Sequence, residues 1–517
     1  MRHNPKTSGP GSGISGSAGA EHSIPQALAR SLDVWGDHPV VMELAPGVEP
    51  RSVGVEDFRS RISWLSSWLK REGIAEGTRV ALFLDNSIEY VVLLCALFEI
   101  GALPFIGKPE YRRLELDEIF ENADPQAVVT EALHLKVLEP YLGGRNVIAR
   151  DGAGFRRERP GGSAAGAAGQ ASPSAAAAPG NTAGDPELPA GAATVNYSYR
   201  GYGYPLGVVV THAQYLHGAS VLQDGLYGLP GEKMLFSIPL SHIFTLVGCL
   251  MVPLLYGMTA VIARTIHPRI IFEYFDTYDV EHVTAVPEIY RLLHRARPKE
   301  RAFPSLRTFV SGGSLLAEDE YAPIREGFGV DLLHGYGLTE FTPAVRNIRG
   351  RARGGTIGPP CAEVECRIDG NGGNGNSSGA EDSGGEHGDA EGEILLRTDS
   401  MGRRYYRRSR ETREAYVDGW LRTGDIGRFS DGHLVFEREK KRTCKVGGIL
   451  VDLEEVKRAL EIHPEVAYAR VTFENGAVTA ALEIPQSADI DEMKGELRDF
   501  LKPLLAAYKV PRRFLRL

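Results

Sequence analysis

Two periodicities alternate along the first half of the chain. Val55–Glu72 places apolar residues at helical spacing, Arg79–Phe83 is an apolar run of strand length, and Ser87–Ile100 is an apolar helix stopped by Gly101. Strands separated by helices predict a parallel sheet covered by helices. The alternation spans about Glu21 to Arg150 and resumes from Thr194 to Phe341. At 517 residues the chain exceeds one ordinary core, so two or more domains are expected. Residues 152–193, rich in Ala, Gly, Pro and Ser, read as a surface insertion; residues 371–391, dominated by Gly, Asn, Ser and acids, read as a loop between two strands. Residues 393–436 read as strands and turns. A smaller α/β unit follows, opened by Val446–Val451 and continued by a helix over Leu453–Ile462. Residues 1–20, Gly- and Ser-rich without an apolar h-region, read as a disordered tail.

Composition removes several classes of function. A net charge of −9 gives no reason to expect a nucleic-acid partner. The basic cluster Arg403–Arg408 reads as a solvated face. Five cysteines form neither an even framework nor a CxxC pair, which disfavours disulfides and zinc and suits a reducing cytoplasm. Phe244–Ile262 is apolar enough to span a bilayer, but Pro253 and Gly257 interrupt it. The expectation is a buried helix, then a buried strand at Thr259–Ile262, with no membrane span.

Tyr197–His212 has the outline of a phosphate loop, with glycines at Gly201, Gly203 and Gly207 before a β-branched run. Glycine permits positive φ and close backbone approach, and successive inward N–H groups form an anion-binding nest. The small hydroxyls and lysine that such a loop wants are replaced by tyrosines, Arg200 and Leu206.

Further along stand Pro239–His242, the small-residue turn Ser311–Ser314, Tyr336-Gly337-Leu338-Thr339-Glu340, Gly419–Asp425 and Lys445–Val456. In order and separation these islands resemble the acyl-adenylate-forming enzymes: acyl-CoA synthetases, peptide-synthetase adenylation domains and luciferases. The resemblance covers nearly the whole chain from about residue 25. It implies an α/β fold with a large N-terminal domain (residues 21–437) of helix-covered mixed and parallel sheets plus a small β-barrel-like subdomain. A hinge at 438–442 and a small, mobile α+β C-terminal lid at 443–517 complete it. The implied activity is ligation of a carboxylic acid, fatty or aromatic, to CoA or a carrier-protein phosphopantetheine, using ATP and Mg²⁺ and releasing AMP. By resemblance Tyr336 and Gly337 pack on the adenine along the backbone of Gly312, Gly313 and Ser314. Thr339 reaches the α-phosphate, Glu340 faces Mg²⁺, and Asp425 accepts the ribose hydroxyls. His242 and Gly335 border the acyl group, while Lys445, Gly447 and Gly448 belong to the loop that turns in for thioester formation.

Three departures from the family pattern carry expectations. In the phosphate loop the hydroxyl positions fall on Ser198, Tyr199, Gly201 and Tyr202 and the lysine on Leu206, leaving Arg200 to supply charge; Leu206→Lys is expected to raise affinity for ATP. At the hinge Glu439 takes the place of an arginine, Arg442 is the pivot, and Arg438 is a candidate nucleotide contact. Tyr508–Leu517 resembles the segment just before the last strand and the adenylation-lysine loop, so the lid is expected without either. Losing one such donor costs ~10²–10³ in rate. The alternatives are therefore a divergent member that uses acyl-adenylate or AMP for acyl transfer, and a non-catalytic nucleotide-binding scaffold.

Overall fold

The computed structural model describes residues 23–158, 188–299, 301–370, 391–398, 401–402, 404–440 and 442–517. The tail 1–20, most of the first tract and nearly all of the second lie outside them. The first tract is shorter than expected, because Gly154–Glu158 pairs antiparallel with Asn146–Asp151 and Ala192–Ser198 is already a strand. Glu365–Asp369 and Gly392–Arg397, which flank the second, are antiparallel neighbours.

Two large sheets carry the N-terminal part. One has seven strands, with Arg79–Phe83 at its centre between Leu103–Ile106 and Ala127–Glu131, both parallel to it. The other has eight, running through the parallel strands Lys233–Phe236, His282–Ala285, Thr308–Ser311 and Asp331–Leu338 to the antiparallel edge Phe341–Arg346. The helix Ile88–Ile100 crosses between the parallel strands Arg79–Phe83 and Leu103–Ile106, with Val55–Arg71 packed against it, and ends where Gly101 takes φ +78°, a conformation glycine reaches without strain. Thr245–Met251 forms a wide π-helical turn continued by the helix Val252–Tyr256, and Thr259–Ala263 is a strand, all wholly or largely buried. Among the described residues no helix is long and apolar enough to cross a membrane.

A five-stranded antiparallel sheet, including Trp420–Ser430 and His433–Glu439, forms the β-rich subdomain. The C-terminal unit starts with the hairpin Thr443–Val446/Ile449–Asp452, whose two-residue turn Gly447–Gly448 has positive φ at both positions, as such hairpins require. The helices Leu453–Glu461 and Ile490–Leu501 then pack with a three-stranded sheet on a separate apolar core. Its third strand corrects the sequence expectation. Arg513–Arg516, read as preceding the last strand, itself pairs parallel with Ala477–Glu483, because Phe514 buries into that core.

Candidate active site

The β-rich subdomain, the eight-stranded sheet and the C-terminal hairpin meet at one cleft. Its volume of about 130 Å³ is far beyond the ~10–15 Å³ that one water needs. Tyr336, Gly337, Thr339 and Glu340 reach it from the end of the strand Asp331–Leu338 and the turn after it, with Gly335 one residue earlier. Gly312 and Gly313 line it from the turn after Thr308–Ser311, and Asp425 from the strand Trp420–Ser430. The Tyr336 hydroxyl donates to Asp425 Oδ2 at 2.6 Å. Burial pushes the phenol well above its ordinary range, with the Asp425 charge adding to it, so it stays a donor.

The apolar side of the cleft is built on the π-helical turn. Its widened spacing sets Phe244 and Gly248 on the cleft, and Ile243, Leu222 and Val252 extend an apolar wall. His242 lines the same wall, and burial pulls its imidazole down to about 3, with Lys108 and Lys445 contributing. At neutral pH it is an uncharged edge and not a proton carrier.

The C-terminal hairpin closes the other side. Lys445, Gly448 and Leu450 line the cleft, and a Cβ at Gly448 would come within 2.5 Å of Val286 Cγ1, so only glycine permits this approach. Gly447 is the outer turn residue, with open space where a side chain would go.

Several expected residues lie elsewhere. Arg438 is separated from the cleft by the pleat of its strand: it points to Glu391, while Glu439 beside it lines the cleft within 3.9 Å of Lys445. Ser314 turns away and donates to Glu288. Arg442 pairs with Glu454 inside the C-terminal unit. Gly207 is a packing position, since a Cβ there would meet Val195 Cγ1 at 2.8 Å. Leu206, the expected lysine position, is fully buried in the main core.

The phosphate loop is occupied by the protein's own groups. Gly201 and Gly203 take positive φ, but the Gly203 N–H donates to Asp452 Oδ2 at 3.1 Å and its carbonyl accepts from Arg458 at 2.7 Å. Tyr199 accepts from Lys509 Nζ at 2.8 Å and donates to Glu455 at 3.2 Å; Ser198 and Tyr199 alone from the loop reach the cleft. Tyr202 and Tyr204 donate to Glu414 and Glu411. Arg200 runs to Glu340 at 3.2 Å, with side chains 8% and 1% exposed, and Tyr405 donates to the same carboxylate. A magnesium ion at Glu340 would have to share this carboxylate with Arg200 and take its remaining ligands from substrate phosphates and water. The Glu340 carboxylate already faces a guanidinium, and among the described residues no three His, Cys, Asp or Glu side chains cluster at ligand spacing.

Tyr405 also corrects the reading of Arg403–Arg408 as a solvated face. Tyr405 and Tyr406 are buried, and the Tyr406 N–H donates to the Gly207 carbonyl. Asp452, Lys509 and Tyr405 are the contributors that sequence reasoning missed. Asp452 is the N-cap of the helix Leu453–Glu461; its bond to Gly203, 249 residues away, had no local signal.

The model of the AMP-binding enzyme family matches residues 28–406. The mouse (Mus musculus) mitochondrial malonate–CoA ligase is 28% identical over 62% of the chain and 60% of its own length. The 2-succinylbenzoate–CoA ligase of Bacillus licheniformis is 28% identical over 86% of the chain and 87% of its own. Among solved structures, o-succinylbenzoate CoA synthetase from Bacillus subtilis aligns over 95% of both chains with TM-score 0.77 at 20% identity, a likeness of fold.

Proposed function

Because the chain belongs to the AMP-binding enzyme family, we propose that it is an acid–thiol ligase that passes an acyl group from an acyl-adenylate to the thiol of CoA. One observation carries this: the hairpin residues Lys445 and Gly448 line the same cleft as Tyr336 and Asp425. A thiol entering beside the hairpin therefore meets an adenylate held by the tyrosine and the carboxylate. In the first half-reaction a carboxylate oxygen of the acid attacks the α-phosphorus of ATP and pyrophosphate leaves. In the second the thiolate sulfur attacks the acyl carbon, and the bond to phosphate breaks with its electron pair going to AMP. The neutral His242 and the apolar wall exclude water from the mixed anhydride, which water would otherwise hydrolyse. Relatives named as CoA ligases favour CoA over a carrier-protein phosphopantetheine. A reducing cytoplasm suits the five free cysteines.

The filled phosphate loop favours a second reading, in which the chain takes a preformed acyl-adenylate and performs only the transfer. With both backbone groups of Gly203 engaged and Arg200 on Glu340, the outer phosphates of ATP find no open nest unless the C-terminal unit moves. One experiment separates the two: measure acyl-CoA from acid plus ATP, and in parallel from a synthetic acyl-adenylate, each with CoA. Comparable yields support the complete ligase. Product from the acyl-adenylate alone supports the transferase, and no product in either arm refutes both.

A further inference from the structure

Arg346 ends the edge strand Phe341–Arg346, and its half-buried side chain lines the acyl side of the cleft. Its Nε and Nη1 are closed off from solvent, yet apart from the contact with the Cys361 sulfur no described group accepts a hydrogen bond from either. The other charged lining residues have partners: Glu340 has Arg200, Asp425 has Tyr336, and Glu439 stands by Lys445. The Cys361 thiol lies beside the guanidinium, but burial pushes it up to about 11, leaving a neutral sulfur that is a weak acceptor. Space has been kept for the charge. A Cβ at Gly225, inside the helix His212–Leu226, would stand 2.9 Å from Arg346 Nη1. The same helix turns Leu222 and Leu226 into the cleft, so the guanidinium sits among apolar walls.

Buried donors are almost always satisfied, and an unpaired one is costly. A guanidinium offers a planar fork that matches a carboxylate in bidentate fashion. We propose that Arg346 receives a second carboxylate at the far end of the acyl group, making the substrate a dicarboxylic acid with an apolar spacer. The inference rests on the ligase reading only for which carboxylate reacts: the near one enters the anhydride, and the far one stays ionised on Arg346. A monocarboxylic acid of equal length leaves the donors unpaired and gains only apolar contact.

The test uses the full chain and matched pairs of linear monocarboxylic and α,ω-dicarboxylic acids, with binding measured by calorimetry in the presence of AMP and acyl-CoA formation measured alongside. One diacid should bind at least about tenfold more tightly than its monoacid partner, the size of a charge-assisted hydrogen bond. Arg346→Met should bring that ratio near one, and Arg346→Lys should restore part of it. Thermal unfolding checks that the variants fold; if Arg346→Met does not, Gly225→Ala, which crowds the guanidinium from the helix side, should lower the same ratio. A wild-type ratio near one, or a ratio that survives Arg346→Met, overturns the proposal. Diacid binding that depends on Arg346 without thioester from any acid upholds this site and refutes the ligase reading. Thioester formed from monoacids as readily as from diacids does the reverse.

Discussion

A lysine at position 206 would have to be buried. Leu206 is 0% exposed and packs in the main core, so Leu206→Lys exchanges apolar burial for an ammonium without a partner. It should destabilise the protein by about 3 kcal/mol or more, read from denaturant unfolding. A variant as stable as the parent that binds ATP more tightly would restore the expectation drawn from the loop's outline. The same residue-scale logic explains Arg438 and Glu439. Adjacent residues of a strand face opposite ways, so placing the arginine one position away moves it from the cleft to Glu391. Tyr336 and Asp425 were legible because each sits in a short, specific motif. Arg346 was not, since only the burial of its donors distinguishes it from any arginine at a strand end.

Among the elements, the helix Leu453–Glu461 decides the state of the phosphate loop. Asp452 caps it by accepting from the N–H groups of Glu454 and Glu455 at 2.9 and 3.4 Å, and the same side chain binds Gly203. One carboxylate thus fills the place of an anion in the nest and fixes the helix start. Asp452→Ala removes a cap and orphans the Gly203 N–H, each worth about 1 kcal/mol or more. The expected result is a loss of about 1–3 kcal/mol together with faster amide exchange over residues 198–206. Unchanged exchange there would mean that the loop is held by other contacts. Helix and strand positions in this region were readable from periodicity: the structure forms the strand Arg79–Phe83 as expected and ends the helix Val55–Arg71 one residue early. The loop's occupant was not readable, because it lies some 250 residues downstream.

Across the whole molecule, the large and small parts are tied by one buried cluster. Lys509 Nζ meets Glu115 of the large part at 2.7 Å, and Glu455 and Tyr199. Burial pushes Glu455 up to about 7, against the pull of Lys509 and with Glu115 and Asp452 reinforcing it. The unfolded carboxyl titrates near ~4.3, so the folded state holds this proton more tightly. The stability it contributes is complete below the unfolded value and is lost as pH rises through about 7. Melting temperature should therefore carry a falling component between those limits, and Glu455→Gln should remove it; a slope identical in the variant would place the proton elsewhere. The sequence alone determined the α/β class, the family and the adenylate-side motifs, because strand and helix periodicity and short motifs are local properties of the chain. Only the tertiary structure decided that Leu206 is core, that Arg200 covers Glu340, that Asp452 fills the glycine nest and that two buried donors of Arg346 meet no oxygen acceptor among the described residues. Each of those depends on burial and on contacts between residues distant in sequence, which no local pattern encodes.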